Sequence, residues 1–141
     1  MPGTDLTLTA SDGVRLVYDD EGAGAPIVLV HGYDGLRAHW EFQRDALLQA
    51  GHRVVTIDLR CHGASDKPEH GQRMARLGQD LRELIEKLDL DDITLVAHSM
   101  GVSVSLAMFA ISGLDRVGRF VAIDQSPKIP NDETWSWGVR K

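Results

Sequence analysis

The feature that most constrains this chain is a short apolar strand that turns directly into an apolar helix at Ser99. The strand pattern runs from Ile93 to Val96, and the helical pattern begins immediately after the serine. A serine at so tight a turn takes a strained backbone conformation, so its flanking positions must be small. Ala97 and Gly101 meet that need. The pattern predicts a nucleophile elbow, although serine is also a favoured helix N-cap with no chemistry.

Two other segments strengthen the catalytic interpretation. Ile27 to Val30 is an apolar run that leads into the glycine-rich segment His31 to Gly35. Arg53 to Asp58 is a second such run, followed by the loop Leu59 to Pro68. Both runs predict buried parallel strands. A glycine-rich loop at the end of such a strand lets backbone N–H groups approach a ligand closely.

These motifs resemble a known family when they are taken in order. The chain reads strand plus His-Gly, then strand plus Asp-Leu-Arg-x-His-Gly-x-Ser-Asp-Lys-Pro, then strand plus x-Ser-Met-Gly. This order resembles the α/β-hydrolase fold superfamily, in its esterase, lipase and haloperoxidase-like branch. The resemblance covers residues 5 to 128, which correspond to the N-terminal half of such proteins. It includes Phe120 to Pro127, which is similar to the sixth strand of the family and the acidic residue after it.

The resemblance implies a role for each matching position. Ser99 would attack an acyl carbon, and the backbone N–H groups of Tyr33 and Met100 would stabilise the oxyanion. Asp124 would be the catalytic acid, because some family members place the acid after the sixth strand. Ala97 stands where the common motif has its first glycine, which is a small departure from the pattern.

The catalytic histidine of the family has no counterpart after Ser99. All six histidines precede the serine: His31, His39, His52, His62, His70 and His98. A serine hydroxyl needs a base within about 2.6–3.2 Å, directly or through one water. We name His31 as the candidate substitute base, with His62 or a histidine of a partner chain as alternatives. His98 is expected to point away from the serine and to pack beside the strand end.

The predicted fold class is α/β. Alternating residues on both sides of Asp12-Gly13 predict an N-terminal β-hairpin, and the rest predicts a doubly wound, mostly parallel sheet with helices on both faces. Two apolar stripes predict core-facing helices: Trp40, Phe42, Leu47 and Leu48, ended by Gly51; and Met74, Leu77, Leu81, Leu84, Ile85 and Leu88. Residues 1–128 are expected to form the hydrolase core, and residues 129–141 the start of a cap.

Composition narrows the class of protein. The 141 residues are 43% hydrophobic and 26% charged, which is typical of one globular domain. A net charge of −6 without a basic cluster argues against nucleic acid and anionic membranes as partners. No secretory signal or membrane-spanning stretch is visible, so the expected location is the cytoplasm. The single cysteine, Cys61, excludes an internal disulfide and a cysteine-based zinc site. No cofactor or metal is expected.

The last part of the chain predicts association. If the sixth strand ends the sheet, it leaves an open edge with unpaired backbone groups. The segment after it contains Trp135 and Trp137, and exposing two large apolar side chains to water is unfavourable. We therefore expect a homodimer or a domain swap through residues 117–137. The alternative is a tail whose tryptophans fold back on their own chain.

Three functions follow from the motifs. The first is a serine hydrolase acting on small or medium carboxylic esters. The second is a catalytically incomplete half-fold or pseudoenzyme that binds small acyl ligands. The third is a cofactor-free haloperoxidase-like perhydrolase, which uses the same elbow. A serine at position 99 disfavours a dehalogenase or an epoxide hydrolase, which would need an aspartate there.

Overall fold

The computed structural model describes residues 3–128 and 130–136. Its strands and helices are, in chain order, β1 (Gly3–Thr9), β2 (Arg15–Glu21), β3 (Pro26–Val30), α1 (Glu41–Gln49), β4 (Arg53–Asp58), α2 (Met74–Lys87), β5 (Ile93–His98), α3 (Met100–Ser112) and β6 (Val117–Ile123). A 3₁₀ turn, Arg37–Trp40, precedes α1. The predicted α/β class is confirmed.

The six strands form one mixed sheet in the order β1-β2-β4-β3-β5-β6. β1 and β2 form the predicted antiparallel hairpin, with Gly13 in its turn at a φ of 87°. β2 pairs antiparallel with β4. The three remaining pairs, β4 with β3, β3 with β5 and β5 with β6, are all parallel. Because parallel strands end at the same edge of a sheet, the loops after β3, β4, β5 and β6 meet there.

Two apolar clusters cover opposite faces of the sheet, as the period of two along each strand requires. The larger cluster contains the inward side of α2, where Leu77, Leu81, Leu84 and Ile85 are buried as the stripe predicts, with Leu88 partly buried; Met74, at the first position of the helix, is exposed, so the stripe is wrong there. A Cβ built on Gly78 would lie 2.8 Å from the backbone nitrogen of Met108, so this glycine allows α2 and α3 to pack closely. The smaller cluster joins Ile27, Leu29, Trp40 and Val54, with Leu47, Leu48 and Val96 packed against it.

The predicted stripe before Gly51 is wrong at two positions. Trp40 is buried as expected but lies in the 3₁₀ turn instead of the helix. Phe42 is 81% exposed, so it does not face the core. At about 100° per residue, Phe42 lies nearly opposite the direction shared by Leu47 and Leu48. Because Trp40 lies in the 3₁₀ turn and Phe42 in α1, Trp40 can be buried while Phe42 faces solvent.

β6 is the last strand of the sheet, and its outer positions are open to solvent. Val121 is 44% exposed and Ile123 is 39% exposed. Of the predicted tail, residues 130–136 are described, and Asp132 and Trp135 form an isolated antiparallel bridge there. Residue 129 and residues 137–141, which include Trp137, lie outside the described residues. Within the described ranges, no helix is long and apolar enough to cross a membrane.

Candidate active site

Ser99 lies between the end of β5 and the start of α3 in a strained conformation. Its φ is 50° and its ψ is −121°, in a region that residues other than glycine rarely adopt. A Cβ built on Gly101 would lie 2.6 Å from the carbonyl oxygen of Val30, so only glycine lets α3 approach β3 this closely. The N–H of Ser99 donates to the carbonyl of Ile123 at 2.9 Å. The backbone therefore fixes the serine against both neighbouring strands.

Two free backbone donors lie on elements next to Ser99. A Cβ built on Gly32 would lie 2.9 Å from the Cβ of Ser99, so the loop after β3 passes directly beside the serine. Tyr33 follows in that loop, and its N–H has no acceptor among the described residues. Met100 is the first residue of α3, where an N–H has no partner within the helix. Such donors are what an oxyanion hole requires.

His31 holds the Tyr33 loop in place and is buried, with 2% of its surface exposed. Its Nδ1–H donates to the carbonyl of Gly32 at 2.7 Å, and its Nε2 accepts the N–H of Leu59 at 3.0 Å. Burial lowers the pKa of His31 from 6.5 to about 4, although the bond to Gly32 opposes this shift. Both ring nitrogens are therefore occupied by backbone partners, and the imidazole is neutral.

His62 connects the same two loops from the other side. Its Nδ1–H donates to the carbonyl of Arg60 at 2.9 Å, and its Nε2 accepts the N–H of Asp34 at 3.3 Å. The rings of His31 and His62 lie 5.0 Å apart between centroids. The sequence gives no signal for this pairing, because the two residues lie on loops separated by a whole helix. The structure therefore assigns both histidines to the support of the Tyr33 loop.

Asp58 completes this support at the end of β4. Its carboxylate accepts the backbone N–H of Arg37 at 2.7 Å and that of Ala64 at 2.9 Å. A Cβ built on Gly63 would lie 2.3 Å from the Asp58 carboxylate, so the loop needs glycine at this position. The Asp-Leu-Arg-x-His-Gly motif therefore has a structural role, because its hydrogen bonds connect the end of β4 to the loop beside Ser99.

Asp124 follows β6 at the same edge of the sheet as Ser99, with a φ of 56°. Its carboxylate is 86% exposed, and one oxygen lies 3.9 Å from Nε2 of His98. The His98 side chain is 47% exposed, so it is more open to solvent than a side chain packed beside the strand end, as the sequence predicts, would be. No described side chain hydrogen-bonds the hydroxyl of Ser99. The structure brings Ser99, Asp124 and His98 to one edge of the sheet but joins no histidine to the serine.

Two cavities flank the Tyr33 loop. The first, which we call the Trp40 cavity, has a volume of about 350 Å³ and is lined by His31, Gly32, Tyr33, Asp34, Gly35, His39, Trp40, Gln43, His98 and Ile123. The second, the Cys61 cavity, measures about 390 Å³ and is lined by Tyr33, Asp34, Arg60, Cys61, His62, Gln72, Met74, Leu77 and Met100. Tyr33 and Asp34 line both, so their loop lies between the cavities.

A buried ion-pair network anchors the loop that carries Cys61 and His62. The Arg60 guanidinium is fully buried and donates to Asp80 at 2.6 Å and to Asp12 at 2.9 Å. Burial opposes the charge on Arg60, but the bonds to Asp80 and Asp12 outweigh it and raise the pKa of Arg60. The bond from Arg60 lowers the pKa of Asp12 to about 2. Among the described residues, no three His, Cys, Asp or Glu side chains could together hold a metal ion.

The comparison with known proteins agrees with this geometry. A family model described as the alpha/beta hydrolase fold matches residues 25–138. The chain belongs to the α/β-hydrolase family. It is 36% identical to a non-heme chloroperoxidase from Kitasatospora aureofaciens, over 86% of this chain and 44% of the relative.

Solved structures of this family give the same result. An esterase from Exiguobacterium antarcticum matches 98% of this chain and 51% of its own, with a TM-score of 0.92 and 29% identity. A bromoperoxidase from Bacillus anthracis matches 95% and 50%, with a TM-score of 0.84 and 33% identity. The chain spans about half the length of the relatives it matches.

Proposed function

We propose that this chain carries the nucleophile of a serine hydrolase that acts on carboxylic esters. The observation that carries the proposal is the strained conformation of Ser99, at a φ of 50°, beside the free N–H groups of Tyr33 and Met100. In this proposal Ser99 is the nucleophile, the two N–H groups bind the oxyanion, and Asp124 is the acid that orients the base.

The base is the role that the described geometry leaves unassigned, because no described histidine hydrogen-bonds the hydroxyl of Ser99. His31 is a poor substitute, because its two ring nitrogens bind Gly32 and Leu59 and burial lowers its pKa to about 4. His62 is occupied in the same way. A histidine carried by a further segment or by a partner chain would have to come within hydrogen-bond reach of the serine hydroxyl.

The test is hydrolysis of p-nitrophenyl butyrate by the 141-residue chain and by its Ser99→Ala variant, with and without added imidazole. Imidazole can replace a missing base, so the proposal expects it to accelerate the parent more than the variant. The variant also measures the direct reaction of imidazole with the ester. Equal rates for both proteins under both conditions would contradict a catalytic Ser99 in this chain and favour the second function, a half-fold that binds small acyl ligands.

A cofactor-free perhydrolase remains a second catalytic candidate, because relatives and structural neighbours carry the names chloroperoxidase, haloperoxidase and bromoperoxidase. The same serine and oxyanion donors would form the acyl-enzyme, with peroxide as the acceptor in place of water. Peracid formation from acetate and hydrogen peroxide distinguishes this activity from simple ester hydrolysis. The Ser99→Ala variant is again the control.

We also propose that the chain self-associates through residues 117–137. Support comes from the exposed positions Val121 and Ile123 on β6 and from Trp135, whose indole N–H is buried without an acceptor among residues 3–128 and 130–136. Light scattering at tens of micromolar should give a dimer, and Val121→Lys should convert it to a monomer. Ile111→Lys, on the exposed surface of α3, is the matched control and should remain dimeric. A monomeric parent would contradict the proposal.

A further inference from the structure

The two outer strands of the sheet differ in how well their free edges are protected. β1, at one end, has an irregular register between Gly3 and Leu6, where Asp5 takes a φ of 55° and pairs with Arg37. Bulges and charged side chains at an edge are devices that stop it from pairing with another strand. β6, at the other end, pairs with β5, and no described strand or bridge occupies its other side. The edge of β6 is therefore the one open to a further strand.

The sequence of β6 has little that would prevent such pairing. Arg119 is the only charged residue between Val117 and Ile123, and the strand contains no proline. Its register with β5 is regular from Arg119 to Ile123. Val121 and Ile123 are 44% and 39% exposed. A regular, mostly apolar edge of this kind is a template for another strand.

The side chains of β6 are complementary to a second β6 that runs in the opposite direction. In a two-fold antiparallel pair, the central residue of the strand lies opposite its own counterpart, and directly opposed residues share a face of the sheet. With Val121 at the centre, Phe120 of each copy lies opposite Ala122 of the other. A large side chain then meets a small one on both sides of the two-fold axis.

The charges along β6 are complementary in the same register. Arg119 near the start of one strand lies opposite Ile123 near the end of the other. The next residue, Asp124, has a carboxylate that is 86% exposed. The guanidinium of each copy therefore approaches the carboxylate of the other, and this contact occurs twice in the symmetric pair. This self-complementary order of charges favours a second copy of the chain as the occupant of the edge.

We propose that two copies of this chain pair antiparallel along β6, in a two-fold register centred on Val121, and join their six-stranded sheets into one continuous sheet. This inference rests on the self-association proposed above and specifies its geometry. It also connects the interface to the candidate active site, because the carbonyl of Ile123 accepts the N–H of Ser99 at 2.9 Å. The strand that joins the two copies is therefore also bonded to the serine.

The test is cross-linking through single cysteines introduced into a Cys61→Ser background, which lacks the native thiol. In Val121→Cys the two new side chains lie directly opposite each other, with Cβ atoms about 4.5–5.5 Å apart, so mild oxidation should join the copies through a disulfide. Ala122→Cys is the matched control, because its counterpart lies diagonally across the pair at about 7–8 Å, beyond disulfide reach. Non-reducing electrophoresis should show a covalent dimer for Val121→Cys and mostly monomer for Ala122→Cys.

Charge reversal provides a second measurement. Arg119→Glu should raise the dimer dissociation constant about three- to tenfold at low salt, because both contacts with Asp124 become repulsive. Arg73→Glu makes the same change in net charge at an exposed position before α2, so it should leave the dissociation constant unchanged.

The outcomes separate this geometry from the wider proposals. A monomeric parent would contradict self-association and this register together. A dimer that does not cross-link through Val121→Cys, or that cross-links equally well through Ala122→Cys, would leave self-association standing and overturn the register. Neither measurement depends on ester hydrolysis, so failure of the hydrolase proposal is a separate result.

Discussion

The backbone N–H of Leu59 donates to Nε2 of His31 at 3.0 Å, and this bond joins the end of β4 to the loop beside Ser99. The acceptor nitrogen must remain unprotonated for the bond to exist. Protonation of His31 would place a charge in the core and a donor against another donor. The geometry beside the serine therefore depends on a neutral histidine.

This dependence predicts acid sensitivity with a defined range. An unfolded histidine takes up a proton as the pH falls below about 6.5, whereas His31 in the folded chain stays neutral until about pH 4. The unfolded state therefore binds more protons between these values, and the free energy of unfolding falls by about 3 kcal/mol as the pH is lowered from 6.5 to 4. Urea unfolding at several pH values measures the loss.

The contribution of His31 can be isolated with a matched pair of variants. His31→Gln should lower stability at neutral pH but remove most of the pH dependence between pH 4 and 6.5. His70→Gln replaces a histidine whose side chain is 65% exposed, and it should retain the dependence of the parent. An unchanged pH dependence in His31→Gln would show that another group is responsible.

The Arg60–Asp80 pair should be among the most sensitive sites for stability. Both side chains are fully buried, so Asp80→Asn leaves the buried Arg60 guanidinium with only the partly exposed Asp12 as a carboxylate partner, and it also removes the partner of Arg76. Asp80→Asn should lower the free energy of unfolding by about 3–5 kcal/mol in urea denaturation. Replacing both residues, as in Arg60→Met with Asp80→Leu, should cost less than Asp80→Asn alone, because the fully buried guanidinium is removed together with its partner and the charges left behind, Asp12 and Arg76, are partly exposed.

Glu86→Gln is the control for this prediction. Glu86 pairs with Arg82 across a helix turn, but its side chain is 47% exposed. Exposed pairs contribute about 0–1 kcal/mol, so this variant should change stability little. If Asp80→Asn and Glu86→Gln had similar effects, burial would not control the energetics of the network.

Gly101→Ala should move the backbone at Ser99 although the serine itself is not replaced. The added Cβ would lie 2.6 Å from the carbonyl oxygen of Val30 and 2.7 Å from that of His31, both of which are backbone atoms that cannot turn aside. We expect a loss of about 1–3 kcal/mol in stability and a change in the amide chemical shift of Ser99. Gly3→Ala, where the nearest atom is 3.8 Å away, should change neither.

The sequence predicts the fold well where a pattern is local. Apolar runs predict the strands that contain Ile27 and Ile93, and the apolar stripe predicts the buried face of α2. Both predictions work because a buried strand or helix face repeats apolar residues at a fixed spacing. The predicted burial of Phe42 is wrong, because Trp40 lies in the 3₁₀ turn before α1 and does not share the helical spacing of the residues that follow. The position of Ser99 follows from its small neighbours.

Long-range relationships in the site could not be predicted in the same way. His31 and His62 hold the Tyr33 loop through hydrogen bonds to backbone groups. Every residue type carries these backbone groups, so the sequence does not show which of them a histidine will bond. The sequence predicts that His98 packs beside the strand end, but its side chain is half-exposed and lies beside Asp124. These residues meet only because the sheet order brings the ends of β3, β4, β5 and β6 together.

Cys61 offers a test of backbone strain next to the second cavity. Its φ is 66°, a left-handed conformation in which a Cβ is unfavourable and glycine is not. Cys61→Gly and Cys61→Ala both remove the sulfur contacts with Gln72 and Pro68, but only the alanine variant keeps the Cβ. We therefore expect Cys61→Gly to be more stable than Cys61→Ala by about 0.5–1 kcal/mol, the reverse of the order usual for these residues. Urea denaturation of the two proteins side by side measures the difference, and a more stable alanine variant would mean that the loop relaxes out of the left-handed region at little cost.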